Sequence, residues 1–357
     1  MKTIAILYGG KSGEHEVSLR SGGSVYSHLD RSLFNPVLIA VDHNGIWYLQ
    51  QNPGFENDKK TLTIQRKEKF IVTVIPGLGL YCNNEKLEVD MVFPVLHGTF
   101  GEDGTVQGLL EIAGLPYAGS GVLGSAVGMD KSVVKQMWAQ SGLPVVPYIT
   151  VIDGYTPITD HLVNLTVEEF GFPLFIKPAN AGSSVGITKA ETTKELRLGI
   201  KNGFRYDSKL LIESGIEGRE IECSVIGNMD PVSFPPGEVI SDNFYDYDSK
   251  YIHPENVKLS VPANLTDSEV SKIKEIAEKA FFVAGAEGFA RVDFFIEKNT
   301  GKIFINEINT LPGFTEISMF AKLCSVSGLC YKDMLTKIIK LAEERYTRRN
   351  SLIFKKE

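Results

Sequence analysis

Two short stretches near the end of the chain combine acidic, basic and amide side chains in a pattern that could bind a metal ion. Arg291 and Asp293 alternate with apolar residues in one predicted strand, and Glu307 and Asn309 do so in the next. Side chains alternate along a strand, so each pair lies on one face of it. Carboxylate and amide oxygens suit hard cations such as Mg2+, which also keep waters and phosphate oxygens. Burying an unpaired carboxylate is costly, and the alternative interpretation is that each polar face points into solvent.

A loop of small residues, 179–184, joins two predicted strands at 173–178 and 185–189. Glycines and serines allow backbone N–H groups to approach phosphate oxygens. The loop is not a Walker loop, because no Gly-Lys-Ser/Thr follows it, and a plain hairpin turn would look similar. Lys177 favours phosphate binding, since a lysine that faces inward from an apolar strand is uncommon.

Three other segments carry side chains that could bind a substrate. Residues 14–18, Glu-His-Glu-Val-Ser, could place a glutamate against an ammonium group, or could supply acidic residues to a helix N-terminus. Residues 97–104, which begin with His97 and Gly98, could line a substrate site or form a tight turn. The aromatic and polar segment 244–251 lies in a long predicted connection and could form a lid or a surface loop.

Strands and helices alternate in the first part of the chain. We expect strands at 3–8, 36–41 and 89–96, and helices at 18–29 and 104–114. This alternation predicts a mostly parallel sheet, in which ligands gather at the carboxyl ends of strands. Gly9-Gly10 follows one such end, but a dinucleotide site is disfavoured because no Gly-x-Gly-x-x-Gly motif is present.

Further elements are predicted from apolar periodicity and from capping residues. We expect helices at 131–141, after Thr192 and Thr266 and around 334–342, and strands at 209–213, 291–296 and 303–308. The length of 357 residues is enough for two to three domains.

Composition excludes several classes of protein. The 43% hydrophobic and 23% charged residues are typical of a globular chain and exclude a disordered or fibrous one. The net charge is −7 and basic residues cluster only in the tail, so we expect no nucleic-acid partner. No apolar run approaches the roughly 18 residues of a membrane span, and the N-terminus is not a signal peptide; we expect no membrane contact and a cytoplasmic location. The four cysteines form no C-x2-C pair, which predicts neither zinc nor a disulfide framework.

Taken in order, these motifs resemble those of the D-alanine–D-alanine ligases of the ATP-grasp superfamily. The resemblance covers residues 9 to about 341. The matching motifs are Gly-Gly-x-Ser-x-Glu-His-Glu-Val-Ser at 9–18, His-Gly-x-x-Gly-Glu-Asp-Gly at 97–104, Met-Asp-Lys at 129–131, Lys177-Pro178, Gly-Ser-Ser-Val-Gly at 182–186, the segment 244–251, Arg-Val-Asp at 291–293 and Asn-Glu-Ile-Asn-Thr-Leu-Pro-Gly at 306–313. Other ATP-grasp enzymes share parts of each motif, but the full order is specific.

The resemblance implies an α/β fold with α+β character in its C-terminal lobes. An N-terminal parallel-sheet domain at 1–128 would precede a two-lobed ATP-grasp fold, with a small central lobe at 129–213 and a C-terminal lobe at 214–357. ATP would lie between the lobes and phosphorylate the carboxylate of one D-alanine. The amine of a second D-alanine would then displace phosphate and give the dipeptide used in peptidoglycan precursors. Water must be kept from the acyl phosphate, so we expect the 241–256 loop to be a lid that is mobile without ligands.

The resemblance also implies roles for individual residues. ATP would contact Lys131, Lys177, Ser184, Glu213, Ile216, Glu220, Phe244 and Asn306. Two Mg2+ or Mn2+ ions would be bound by Asp293, Glu307 and Asn309, with Glu307 bridging both ions, and Lys250 would reach the γ-phosphate. Such ions and lysines supply the charge neutralisation that phosphoryl transfer needs.

The same resemblance implies the substrate contacts. Glu14 would bind the ammonium group of the first D-alanine and form a hydrogen-bonded set with Ser183 and Tyr251. Arg291 and the N–H of Gly313 would form an oxyanion hole. His97 would line the first D-alanine site, and Ser318, beside Met319, would bind the carboxylate of the second D-alanine. The family also implies a homodimer.

Three alternatives remain. A D-alanine–D-lactate or D-alanine–D-serine ligase is disfavoured by Tyr251 and by the absence of a basic residue near Met319, although single pocket residues change such preferences by only ~1–3 kcal/mol. A non-catalytic ATP-grasp regulator would need a broken catalytic position, and none is seen. A dehydrogenase is disfavoured by the missing glycine motif.

Overall fold

The computed structural model describes residues 1–241 and 257–353, and everything below refers to these residues. The first part of the chain contains β1 (Lys2–Gly9), α1 (His15–His28), β2 (Phe34–Val41), β3 (Trp47–Gln50), β4 (Val72–Ile75), β5 (Gly79–Cys82), β6 (Glu85–Lys86), β7 (Met91–Pro94), α2 (Thr105–Ala113) and α3 (Val122–Met129). β1 pairs in parallel with β2 and β7, and β3 pairs antiparallel with β2, in the order β3-β2-β1-β7. The predicted parallel sheet is therefore confirmed. A small antiparallel sheet, β4-β5-β6, was not predicted.

The first helix begins earlier than predicted. It starts at His15, with Glu14 at its N-cap, and not at Ser18. Ser18 has the residue type of an N-cap, but its hydroxyl instead accepts a hydrogen bond from the backbone N–H of Gly9 at 2.8 Å and donates one to the carbonyl of Val95. The serine thus ties the helix to the ends of β1 and β7, which no local pattern reveals.

The middle of the chain forms a second, antiparallel sheet. Its elements are α4 (Lys131–Gln140), β8 (Tyr148–Ile152), α5 (Asp160–Phe170), β9 (Leu174–Pro178), β10 (Thr188–Ala190), α6 (Thr193–Gly203) and β11 (Lys209–Ser214), with strand order β10-β9-β11-β8. The predicted strand at 185–189 exists and pairs with β9, but its predicted start is wrong, because β10 begins only at Thr188. Ser183 and Ser184 have positive φ angles of 47° and 59°, and Val185 N–H bonds back to Gly182 O, so the loop extends further than the sequence indicated.

The third sheet dominates the last part of the chain. Its elements are β12 (Gly218–Gly227), β13 (Val232–Ser233), β14 (Gly237–Ser241), β15 (Val257–Ser260), α7 (Asp267–Val283), β16 (Gly288–Glu297), β17 (Ile303–Asn309), α8 (Met319–Ser325) and α9 (Tyr331–Asn350). The antiparallel order is β15-β14-β12-β16-β17, and β13 pairs with β12. Thr266 and Glu269 form the predicted capping box of α7.

Packing joins the first and third sheets into one core. Ile4 and Ile6 of β1 belong to the same buried cluster as Phe289 of β16 and Ile338 of α9. Arg345 strengthens this junction, because its guanidinium donates hydrogen bonds to the carbonyls of residues 117 and 119. The boundaries at 128/129 and 213/214 stay predictions. No helix within residues 1–241 and 257–353 is both long and apolar enough to cross a membrane.

Candidate active site

A cavity of about 370 Å3 lies between the second and third sheets. Its lining includes all the described residues that were predicted to contact ATP, namely Lys131, Lys177, Ser184, Glu213, Ile216, Glu220 and Asn306, together with Ser183, Glu307 and Asn309. These residues come from α4, β9, the loop before β10, β11, the β11–β12 connection, β12 and β17. The fold thus brings together residues that are distant in the chain; Lys131 and Asn309, for example, are 178 positions apart.

The two acidic strands pair so that their polar side chains meet. Asp293 lies opposite Glu307, and Arg291 lies opposite Asn309, in the antiparallel β16–β17 pair. Asn309 Nδ2 donates to Asp293 Oδ2 at 2.9 Å, and the guanidinium of Arg291 binds both Asp293 oxygens at 2.7 Å. Asp293 is only 3% exposed, so the interpretation that this face points into solvent is wrong.

Arg291 is a partly buried cation that contacts two carboxylates. Its Nε lies 2.7 Å from Asp293 Oδ1 and 3.2 Å from Glu222 Oε2. Burial alone would lower the pKa of the guanidinium, but Asp293 and Glu222 outweigh burial and raise the pKa. The group therefore stays charged, as an oxyanion-stabilising residue must.

Two lysines line the cavity, Lys131 from α4 and Lys177 from β9, and a third, Lys135 of α4, lies outside the lining. Lys177 Nζ lies 2.6 Å from Glu213 Oε2 and donates to Asn306 Oδ1 at 3.1 Å. Lys131 Nζ donates to the carbonyl of residue 181 at 2.8 Å and lies 3.5 Å from Glu307 Oε2. Lys135 Nζ lies 2.8 Å from the other oxygen of Glu213. Lys131 and Lys177, which line the cavity, can hold the charge of phosphate groups that enter it.

Lys135 was missed by sequence reasoning. It lies on α4 one helical turn after Lys131 and three residues before Trp138, and its side chain is 0% exposed. Residues four apart share one helix face. That spacing could have placed Lys135 on the same face as Lys131.

Glu14 lies where loops from three parts of the chain meet. The hydroxyl of Ser183 donates a hydrogen bond to Glu14 Oε1. A Cβ atom at Gly98 would lie 2.5 Å from Glu14 Oε2, and one at Gly182 would lie 2.7 Å from it. A side chain at either position would displace the carboxylate. The carboxylate thus lies close to the backbone at Gly98 and Gly182, beside the loop of small residues.

His97 and Glu102 come from the loop after β7. Both ring nitrogens of His97 are engaged, Nδ1 with the carbonyl of Leu311 and Nε2 with the hydroxyl of Ser21, each at 3.0 Å. Burial lowers the pKa of His97. Its ring is thus held inside the protein and is not part of the described cavity lining.

Glu102 does line the cavity, and sequence reasoning assigned it no role. Its Oε1 accepts a hydrogen bond from the N–H of Gly98 at 2.9 Å. Burial, and next the charge of Glu14, raise the pKa of Glu102 to about 8. The carboxyl is therefore uncharged at neutral pH, which relieves repulsion against Glu14.

The predicted second-substrate residues lie on α8 and its approach. Ser318 is the N-cap of α8, and its hydroxyl donates to the carbonyl of Thr315 at 2.7 Å. Met319 is 6% exposed and packs against Gly237, and the Cβ of Ser318 is 4.0 Å from a Cβ position at Gly313. Neither Ser318 nor Met319 is part of the described cavity lining. The three remaining site predictions, Phe244, Lys250 and Tyr251, lie outside the described residues.

A further group of potential metal ligands lies near the ends of β1 and β2. In residues 1–241 and 257–353, His15, Glu16 and His43 bring their donor atoms within 4.8 Å of one another. The rings of His15 and His43 stack, with centroids 3.8 Å apart and planes inclined by 26°. Ring lone pairs lie in the ring planes, so two stacked rings do not direct both lone pairs to one ion. We assign no metal to this group.

Comparisons with known proteins identify the family of this chain. Residues 3–120 match the family model for the D-ala D-ala ligase N-terminus, and residues 137–340 match the model for the D-ala D-ala ligase C-terminus. The chain is 46% identical to a D-alanine–D-alanine ligase of Treponema denticola over 355 residues, which covers 96% of each protein. It is 43% identical to one from Heliobacterium modesticaldum, covering 97% of this chain and 95% of the relative.

Solved structures give the same result. The structure of the D-alanine–D-alanine ligase from Coxiella burnetii is similar with a TM-score of 0.85 at 34% identity, covering 98% of both chains. The VanG D-Ala:D-Ser ligase from Enterococcus faecalis is similar with a TM-score of 0.82 at 33% identity, covering 96% of this chain and 99% of that one.

Proposed function

This chain belongs to the D-alanine–D-alanine ligase family, and we propose that it joins two D-alanine molecules into D-alanyl-D-alanine while ATP is converted to ADP and phosphate. The product supplies peptidoglycan precursor synthesis. The observation that carries the proposal is the cavity lined by Lys131, Lys177, Glu307 and the small-residue loop, whose Ser183 contacts Glu14.

A carboxylate is a poor electrophile, so the first step activates it. A carboxylate oxygen of the first D-alanine attacks the γ-phosphorus, the bond to the β-phosphate oxygen breaks, and ADP leaves. Lys131 and Lys177 neutralise phosphate charge, and Glu14 binds the ammonium group of this D-alanine. Glu213, Ile216 and Glu220, which also line the cavity, would contact the adenine and ribose.

The residues proposed to hold metal ions have the right donor chemistry. Asp293, Glu307 and Asn309 offer only oxygen ligands from two paired strands, which is the preference of Mg2+ and Mn2+. When bound, such ions would neutralise the charge that develops on the transferring phosphoryl group. Lys131, at 3.5 Å from Glu307, places a phosphate-binding group beside this acidic pair.

The second step forms the peptide bond. The amine of the second D-alanine attacks the carbonyl carbon of the acyl phosphate, and phosphate leaves with the bridging oxygen. Arg291 and the N–H of Gly313 would stabilise the oxyanion of the tetrahedral intermediate. Ser318 would bind the carboxylate of the second D-alanine. Three residues outside the described ranges keep the roles that the family resemblance implies. Phe244 would contact ATP, Lys250 would reach the γ-phosphate, and Tyr251 would bond with Glu14 and Ser183.

The second candidate function is a D-alanine–D-serine or D-alanine–D-lactate ligase. The similarity to VanG makes it worth testing, since the fold is shared across both specificities. If Met319 borders the second substrate, as the family resemblance implies, it would offer no charge or hydrogen bond to a polar one, which favours D-alanine.

Product analysis tests the proposal. Purified protein is given Mg-ATP with D-alanine alone, with added D-serine or with added D-lactate, and ADP and the products are identified by mass. We expect D-alanyl-D-alanine as the main product in all three, abolished in Glu307→Gln and unchanged in Glu275→Gln, an exposed residue of α7. A mixed product would favour the second candidate, and no product from any D-amino acid would overturn both.

We also propose a homodimer and a cytoplasmic location, as the family resemblance implies. Leu78 and Ile112 are 54% and 62% exposed. The N–H of residue 77 donates a hydrogen bond to the carbonyl of Ile112, so the side chains of Leu78 and Ile112 lie near each other on an apolar surface. Light scattering of the native protein and of Ile112→Glu tests the homodimer. Fractionation of the cells that produce the protein tests the cytoplasmic location.

A further inference from the structure

Lys135 is a buried lysine that the proposed reaction does not use. Its side chain is 0% exposed, and its ammonium lies 2.8 Å from Glu213 Oε1. Taking a lysine fully out of water is costly. Glu213 already has a cationic partner, because Lys177 lies 2.6 Å from its other oxygen. A second cation on the same carboxylate therefore calls for a functional reason.

The two lysines differ in their access to the cavity. Lys177 lines the cavity and its side chain is 11% exposed, whereas Lys135 lies behind Glu213 and is not part of the lining. Lys177 alone would form a neutral pair with Glu213. The two ammonium groups and one carboxylate together carry one net positive charge, and only Lys177 can present it to a ligand.

We propose that Lys135 is a positioning residue for phosphate binding: it neutralises Glu213, so that Lys177 keeps an uncompensated positive charge for the phosphates of the nucleotide. The inference rests on the proposed function, because it takes ATP as the ligand. Its physical basis is that a charge buried beside an anion is screened far less than one in water. Lys135 thus acts through Glu213 and touches no phosphate itself.

The charge of Lys135 depends on its neighbours. Burial is the main influence and lowers the pKa of Lys135, Lys177 lowers it further, and Glu213 and Glu307 offset only part of this, so that the contact with Glu213 at 2.8 Å is what favours the charged lysine. The pKa of Glu213, which burial alone would raise, is lowered by Lys135 and Lys177. Tyr148 adds a ring face 5.7 Å from the ammonium. The charges of the three groups are therefore mutually dependent.

Binding measured without turnover tests the inference. Dissociation constants for ADP, AMP and adenosine are measured by calorimetry with Mg2+ and no D-alanine, for the native protein and for Lys135→Met. We expect the variant to lose about tenfold or more in affinity for ADP, less for AMP and nothing for adenosine. A variant with a merely disturbed pocket would weaken all three ligands alike. Lys332→Met, which breaks the exposed 2.8 Å pair with Asp30, is the matched control.

A charge-restoring double variant keeps the test independent of folding defects. Lys135→Met combined with Glu213→Gln again leaves Lys177 with an uncompensated charge. We expect the ratio of the AMP to the ADP dissociation constant, which cancels changed base contacts, to return toward the native value. Equal ADP affinity in the native protein and Lys135→Met, or no recovery of the ratio, would overturn the inference and leave the ligase proposal standing. A native protein that binds no nucleotide would overturn both.

Discussion

The hydroxyl of Ser183 donates a hydrogen bond to Glu14, and this contact joins the small-residue loop of the second sheet to the first residue before α1. Ser183 has a positive φ of 47°. The loop proposed to bind phosphate and the carboxylate proposed to bind the ammonium group therefore lie side by side, as the transfer of a phosphoryl group to an amino acid carboxylate requires.

Ser183→Ala should weaken the binding of the first D-alanine. The variant removes a hydrogen bond to a charged group, a loss of about 1.5–3 kcal/mol, and frees the Glu14 carboxylate to turn. We expect the KM for D-alanine at the first site to rise about tenfold or more. Steady-state kinetics at varied D-alanine measure it, with Ser327→Ala on the exposed turn after α8 as the control. An unchanged KM would show that the contact does not orient Glu14.

Gly182→Ala should act on the same carboxylate by steric contact. The new Cβ would lie 2.7 Å from Glu14 Oε2, so the carboxylate must move. We expect kcat/KM for D-alanine to fall at least about tenfold, because a displacement near 1 Å at a reacting group is costly. Gly108→Ala in α2 is the control, since its Cβ meets nothing within 4 Å and alanine favours a helix. Equal activity of the two variants would contradict the placement of Glu14.

Glu102 should make the stability of the protein fall as pH rises. Its pKa is raised from 4.5 to about 8, so the folded state holds a proton that the unfolded state has lost between these values. Stability from this group is full below about 4.5 and is lost as pH rises through about 8.

Glu102→Gln keeps the uncharged form at every pH. We expect its melting temperature to match the native protein near pH 5 and to exceed it at pH 9, by a difference worth more than about 1.4 kcal/mol, the equivalent of one pKa unit. Calorimetry across this range checks the prediction, with Glu85→Gln as an exposed control. Parallel curves for the native protein and Glu102→Gln would show that Glu102 is charged at neutral pH.

Asp293→Asn should raise the Mg2+ requirement of the reaction. The amide keeps one oxygen ligand but loses the charge, and it also loses the two-point contact with Arg291. We expect half-maximal activity at about tenfold more Mg2+ or beyond, with a lower kcat. Activity at varied Mg2+ and fixed Mg-ATP measures this against Asp153→Asn, an exposed substitution. The same Mg2+ dependence in both variants would exclude Asp293 as a ligand.

The polar faces of the two acidic strands could be predicted because they follow a period of two. The pairing of Asp293 with Glu307 could not, because antiparallel register is fixed by tertiary contacts, and here by an irregularity between Asp293 and Phe294. β1 and β2 are long and apolar, and both strands could be predicted from the sequence. The small sheet β4-β5-β6 consists of strands of two to four residues, too short for a pattern to show.

Buried charges were also beyond prediction from the sequence. Lys131 and Lys177 lie in recognisable motifs, whereas Lys135 lies inside an ordinary amphipathic helix where a lysine is expected on the exposed face. Glu102 lies in a recognised motif, but its raised pKa depends on burial and on Glu14, which is 88 residues away in the chain. Such charges are set by neighbours that only the folded chain brings close.

Transfer of oxygen from D-alanine to phosphate tests the acyl phosphate most directly. The native protein is given Mg-ATP and D-alanine that carries 18O in its carboxylate, and the phosphate released is analysed by mass. Attack of the carboxylate on the γ-phosphorus and later loss of the bridging oxygen predict one 18O atom in phosphate for each dipeptide formed. Dipeptide accompanied by unlabelled phosphate would contradict the account.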